Sequence, residues 1–338
     1  MRSTVSQTTM TAKRPIRAAV IGGGAFGECH LKTFHAMSQV EVAGLYTLDQ
    51  DRGETLCRRY GGRCYRSLDE VASDPDIDLV SIATPEDAHC VTFKTLAEKK
   101  KAVYVEKPLA TSLAEASEML DVSQSIIAMS GHCLRFESRV AHVFAQLPML
   151  GRLRHMSFRD KRIQGEKTVY GRVHPAFALL CHEIELSNAF ARDRFKRVCA
   201  LETQFSPGQV DGMNILIEYH GGATSSIEGG WYLPTQEALR ENDRCSLDFE
   251  QGTFEIALPS TGFTFLSANG CQFLNQQYEF NVFGMEFGAL RSAFEYMVQC
   301  VASQTQPTIS TIRDGYEAVR MIDAALRSAR TSQWVNGD

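Results

Sequence analysis

The run Ala18-Ala19-Val20-Ile21-Gly22-Gly23-Gly24-Ala25-Phe26-Gly27 limits the possible folds more than any other stretch of the chain. Gly22, Gly24 and Gly27 have GxGxxG spacing, directly after an apolar strand and at the start of an amphipathic helix bearing Phe26, Leu31 and Phe34. The first glycine permits a tight turn, the second lets a pyrophosphate approach the backbone, and the third lets helix pack on strand. Free N–H groups at the helix start favour phosphate charge. A dinucleotide site formed by Gly22, Gly24, Ala25, Phe26 and Gly27 is therefore expected. A glycine-rich turn without a ligand is the plainer reading of such a motif taken alone.

The surrounding pattern favours the ligand. Arg17–Ile21, Val40–Leu45, Asp78–Ala83, Ala102–Val105 and Ile126–Ser130 read as buried strands, their weak alternation suiting parallel strands covered on both faces. They belong to a six-strand pattern interleaved with helices. Ser67 with Glu70, and Ser112 with Glu115, have the spacing of helix-capping boxes. After residue 136 the texture changes. A helix over 137–147 leads to a strand near Arg154–Arg162, then helix from Pro175 to Ala191. Consecutive strands follow, with turns at Phe249–Gly252 and Pro259–Gly262, and two helices near 285–302 and 313–330 close the chain. The expected fold class is α/β: an N-terminal Rossmann doubly wound parallel sheet plus a C-terminal α+β domain with a large open, mainly antiparallel sheet. Residues 1–15 are expected to be a disordered tail, 16–135 the dinucleotide domain and 136–312 the substrate and oligomerisation domain. The helix over 313–330 is expected to return to the first domain.

Bulk properties remove other classes. A net charge of −5 over 338 residues argues against a nucleic-acid surface. The ten cysteines stand singly, without CxxC or zinc-like spacing, so no metal is expected. No stretch approaches the ~18 apolar residues of a membrane span, and no secretory signal is visible. A cytoplasmic protein without membrane or nucleic-acid partners is the expectation.

The second strand should end at the residue that reads the adenosine ribose. That tip falls at Thr47, with Asp49 two further on and Arg52 in the next helix. Asp49 would repel a 2′-phosphate, whereas Arg52 could reach one or simply be solvated. The cofactor is thus expected to be NAD(H) or NADP(H), with NAD favoured. Two more segments sit where ligands of such sheets bind: Thr84-Pro85 followed by His89, and Glu106-Lys107-Pro108. EKP on its own is an ordinary surface-loop sequence.

Together with Gly131–Phe136 (GHCLRF) and Cys181–Leu186 (CHEIEL), these segments resemble the Gfo/Idh/MocA family of NAD(P)-dependent oxidoreductases. The resemblance covers almost the whole chain. It implies that Lys107 lies beside the nicotinamide and the reacting oxygen, where a lysine of lowered pKa can take up a hydroxyl proton. Glu106 would shape that loop and the cofactor site. His182 corresponds to a histidine on the family's substrate helix, although alone it would read as a structural histidine. Many relatives carry an aspartate four residues earlier. This chain has Ala178, so a Lys-Asp-His set does not transfer. His174 either compensates or caps the helix. Arg135, Arg162 and Tyr170 are further candidates for contacts to a polyol-like substrate, and Trp231 reads as core. The resemblance further implies a homodimer or homotetramer through the C-terminal sheet. The expected activity is hydride transfer at a hydroxyl or carbonyl carbon of a sugar, inositol or related molecule. Alternatives are an NAD-recycling glycosidase or lyase, and a non-catalytic cofactor sensor.

Overall fold

The computed structural model describes residues 14–205, 208–235, 241–258, 264–267, 270–273, 280–282 and 285–337. The tail expected at 1–15 lies outside these for residues 1–13, and so does the turn expected at Pro259–Gly262.

Strands β1 (Ile16–Ile21), β2 (Val40–Tyr46), β3 (Arg63–Tyr65), β4 (Leu79–Ile82), β5 (Ala102–Glu106) and β6 (Ala128–Gly131) form a parallel sheet, in the order β3-β2-β1-β4-β5-β6. Successive side chains of β1 enter two different cores, Ala18 and Val20 on one face, Ala19 and Ile21 on the other. That is why the strand shows no alternation in sequence. Helices α1 (Ala25–His35), α2 (Gln50–Tyr60), α3 (Leu68–Ser73), α4 (His89–Glu98) and α5 (Leu113–Ser123) cover the faces. The third strand, counted but not located in the sequence, is the three-residue β3, too short and too charged to carry a periodic signal. The strand order reverses at β1 and β4, so the ligand crevice lies outside their carboxyl ends.

After α6 (Ser138–Leu150), β7 (Leu153–Ile163) enters a second sheet completed by β8 (Phe195–Thr203), β9 (Gly212–Tyr219), β10 (Thr224–Leu233), β11 (Glu241–Phe249), β12 (Thr253–Leu258) and the short strand Val335–Asn336. Its order is β12-β11-β7-β10-β9-β8 and then Val335–Asn336. Only β7 and β10 run parallel; the other neighbours are antiparallel. Between β7 and β8 lie α7 (Lys167–Tyr170), α8 (Pro175–Ala178) and α9 (Cys181–Ala191). The single helix expected over Pro175–Ala191 is thus two, broken at Leu179-Leu180. Met213, Ile215 and Ile217 of β9 are buried, whereas Asn214 and Leu216 are exposed on the other face.

The last two helices pack across the expected domain division. α10 (Ala289–Ser303) falls within the range assigned to the second domain, yet Ala293, Phe294 and Met297 pack with Ala18, Val20, Leu31 and Phe34 of the first. Phe294 stacks on Phe34 with ring centroids 4.3 Å apart, a pairing worth roughly 0.5–1.5 kcal/mol beyond the area buried. α11 (Ile312–Thr331) lies between α5 and β6 of the first domain and α9 and β8 of the second. A chain-order division cannot see that the chain has recrossed. Among the described residues no helix is long and apolar enough to cross a membrane, and no three His, Cys, Asp or Glu side chains gather as a metal site.

Candidate active site

Gly22 closes the turn after β1 with φ +111°, and a β-carbon there would collide with the Ala83 carbonyl at the end of β4. At Gly24 an added β-carbon would meet open space. The fold needs the first glycine, while the second is bare toward the crevice, where a pyrophosphate would need to approach. Phe26, the second residue of α1, lines the same crevice.

At the ribose end, Thr47 is buried beyond β2 and Asp49 caps α2, accepting from the Arg52 N–H at 3.0 Å. Arg52 is exposed but not free: its Nε donates to the Gly23 carbonyl and its Nη2 pairs with Glu28 at 3.0 Å. The guanidinium therefore braces the glycine loop from α2.

The loop after β5 carries the densest set of contacts. Lys107 Nζ donates to the Ala178 carbonyl at 3.1 Å, joining the two domains. Glu106, expected near the cofactor, has both oxygens engaged: Oε1 faces His30 Nε2 at 3.1 Å and Oε2 accepts the Lys107 N–H at 3.1 Å. His30 Nδ1 in turn meets Ser81 Oγ at 2.8 Å, so a buried chain runs from α1 to the EKP loop. His89, also expected to touch cofactor, is fully buried, its ring nitrogens facing the carbonyls of Pro108 (2.9 Å) and Thr84 (3.1 Å). It ties the two loops together. The sequence reading missed His30, although its place one turn after Gly27 on the buried side of α1 was a usable signal.

Burial pulls the Lys107 ammonium down, but Cys181, Glu106 and Cys133 more than offset this, and the net shift is upward. The lowered pKa expected of this lysine is thus corrected; it holds its proton. His182 moves the other way. Burial first, then the charges of Lys107 and Arg162 and the neighbouring His132, push its pKa well below the ordinary range, so the imidazole is neutral. His132, whose ring lies 6.0 Å from that of His182, is pushed down to about 3 by burial, Lys107 and Arg135.

Arg162 is held by carboxylates from two strands: Asp160 Oδ1 at 2.6 Å, Asp243 Oδ2 at 2.7 Å, and Glu241. Burial, then Asp160, raises the nearby Glu183 carboxyl to about 8, against the pull of Arg162 and Lys107. Arg172 makes a two-pronged pair with Glu86, both bonds 2.8 Å, again joining the domains.

Lys107, His182, Arg162, Tyr170, Thr84 and Phe26 all line one cavity of about 300 Å³. Two expected substrate residues do not. Arg135 pairs with Glu185 at 2.8 Å and lines a separate, larger cleft of about 1040 Å³. His174 caps α8, accepting from the Ala176 N–H at 3.1 Å, and faces Glu202. Both His174 ring nitrogens and one Arg135 Nη are committed to nearby chain. Ala178, in place of a carboxylate, offers Lys107 its backbone oxygen.

A glycine turn at the switch point of a parallel sheet, with an ammonium and a neutral imidazole on the cavity beside it, is the arrangement of a Rossmann-type fold. Residues 16–126 match the Gfo/Idh/MocA family model, described as "Oxidoreductase family, NAD-binding Rossmann fold". It is 31% identical to an uncharacterised oxidoreductase of Streptococcus pneumoniae over 38% of this chain and 35% of that protein, so the match spans about a third of that relative. It is 24% identical to inositol 2-dehydrogenase 1 of Saccharopolyspora erythraea over 93% of this chain and 94% of that one. Among solved structures, myo-inositol dehydrogenase from Lactobacillus casei in complex with NAD(H) and myo-inositol has a TM-score of 0.78 at 19% identity, covering 95% and 96% of the two chains.

Proposed function

We propose that this chain is an NAD(P)-dependent dehydrogenase or reductase acting at a hydroxyl or carbonyl carbon of a sugar, inositol or related small hydroxylated compound. The observation that carries this reading is the convergence of Lys107 and His182 on the cavity that opens beside Phe26 and Thr84 at the crevice. Gly22, Gly24 and Gly27 would hold the pyrophosphate, and the bound nicotinamide would supply the hydride acceptor or donor. NAD is favoured over NADP because Arg52, the guanidinium nearest the glycine loop, is already engaged by Gly23 and Glu28. Asp49 adds negative charge at the end of β2.

The two shifts divide the proton work. Lys107 keeps its proton and donates a hydrogen bond to the substrate oxygen, stabilising negative charge as it develops. His182, neutral and lining the cavity, accepts the hydroxyl proton during oxidation. Arg162 and Tyr170 bind further hydroxyls. The face of the second sheet bearing the exposed Leu201 and Leu216 is the surface for a homodimer or homotetramer.

A panel of inositols, sugars and sugar phosphates, offered with NAD and with NADP, tests the reading. Formation of reduced nicotinamide in step with product supports it. Tight cofactor binding without reduction on any polyol contradicts it.

A further inference from the structure

Two short helical segments cross between the cavity and the larger cleft, and their facing side chains form a ladder of two rungs. On the segment that begins at His132, residues 132 and 135 are three apart; on α9, residues 182 and 185 are three apart. The first rung is His132 against His182, edge to face, with centroids 6.0 Å apart. The second is Arg135 to Glu185 at 2.8 Å. His182 lines the cavity, while Arg135 and Glu185 line the cleft. The ladder therefore spans the wall between them.

Its polar atoms are unmet to an unusual degree. Both ring nitrogens of His132, Nδ1 of His182, Nε of Arg135 and Oε2 of Glu185 are buried with no hydrogen-bond partner among the described residues. His132 and Glu185 are each 1% exposed. A buried polar group without a partner is costly, and native proteins keep few of them. Five on the two rungs, between a cavity and an open cleft, call for a common explanation.

We propose that His182, His132 and Glu185 form a proton path from the reaction cavity to the second cleft, bridged by water. The inference rests on the dehydrogenase reading above. Oxidising CH–OH to C=O sends the carbon's hydride, with both electrons of its C–H bond, to the oxidised nicotinamide nucleotide. The O–H bond breaks, its electron pair stays on the substrate oxygen, and one proton per turnover must reach solvent. Substrate and cofactor fill the cavity at that moment, and Lys107 already holds a proton. His182 accepts the hydroxyl proton at Nε2 and releases the one on Nδ1. That proton passes by way of His132 to Glu185 Oε2 and out through the cleft. Neutral imidazoles, each able to take a proton on one nitrogen and give one up from the other, suit such a relay. Glu185 is raised to about 7 by burial, against Arg135 and with Asp314 adding to the rise, so it gains and loses a proton near neutrality. On the cavity side, the charged groups facing His182 are Lys107 and Arg162.

Glu185→Gln keeps an oxygen for Arg135 but cannot relay; His132→Phe keeps an aromatic ring against His182 and removes both relay nitrogens. Single-turnover oxidation in weak buffer, followed by nicotinamide absorbance and by a pH-indicator dye, separates hydride transfer from proton release. The expected result is hydride transfer within about two-fold of wild type in both variants, with proton release slowed about ten-fold or more. Added imidazole buffer should restore release in Glu185→Gln. A second readout needs no turnover: the ¹³C resonance of the Glu185 carboxyl in cofactor-free protein should titrate near neutral pH. Simultaneous hydride transfer and proton release in both variants overturns the path, as does a Glu185 carboxyl that stays ionised throughout. If the wild type itself transfers no hydride to any polyol, the dehydrogenase reading fails and the path falls with it.

Discussion

Lys107 and Ala178 meet through a side chain and a backbone: the Lys107 ammonium donates to the Ala178 carbonyl at 3.1 Å, closing the loop after β5 of one domain onto a helix of the other. The residue that could have charged His182 is thus an oxygen without charge. Ala178→Asp should bring a carboxylate beside Lys107, four residues ahead of His182 across the break between α8 and α9, raising the His182 pKa toward its ordinary range. The kcat/KM profile for oxidation should then gain an acid limb of imidazole character near pH 6.5. The wild type, with His182 held neutral, should lack it. An unchanged profile in a folded Ala178→Asp variant would show that position 178 does not face the histidine.

The glycines of the loop should separate by phenotype. Gly22→Ala forces a β-carbon onto the Ala83 carbonyl at positive φ, and should lower the melting temperature. Gly24→Asp meets open space, so it should fold normally and lose dinucleotide affinity, because its carboxylate repels the pyrophosphate. Calorimetric titration alongside thermal unfolding checks both. A Gly24→Asp variant with native affinity would remove the cofactor site from this loop.

Glu183 should impose a pH dependence on stability. Its folded pKa is raised from 4.5 to about 8, chiefly by burial, so between those values the native state holds a proton that the unfolded chain has released. Stability must fall as pH rises through that window. His132 and His182, both lowered, act oppositely, losing stability as pH drops below about 6.5. Between about pH 6.5 and 8 the carboxyl acts in its own window, while the buried thiols, raised from 9.0, add their loss at higher pH. Melting temperatures from about pH 6.5 to 8 should decline in the wild type and decline less in Glu183→Gln. Equal slopes would show that Glu183 is ionised throughout.

The first domain was legible because its rules are local. The glycine turn, the strand tips and the starts of α3 and α5 at Ser67 and Ser112 are all written within a few residues. What escaped depends on contacts distant in sequence. α10 reads as part of the second half and packs against α1, more than 250 residues earlier. Arg135 and Arg162 look alike in sequence, but one faces the cleft with Glu185 and the other sits among Asp160, Glu241 and Asp243. Lys101, the last of three consecutive lysines, is buried and donates to the carbonyls of Asp74 and Ile77, which no local pattern announces. The sign of the Lys107 shift was beyond sequence for the same reason. Burial alone lowers a lysine, and only the placement of Glu106, Cys181 and Cys133 reverses it.

The central claim is that Lys107 acts on the reacting oxygen and not on the cofactor. Its most direct test is Lys107→Ala, assayed on the polyol that the screen identifies, with NAD affinity measured on the same preparation. Turnover should fall by about 10²–10⁴-fold while the NAD dissociation constant changes by less than about two-fold. Turnover at the wild-type rate, or a loss accounted for by weakened NAD binding, would contradict it.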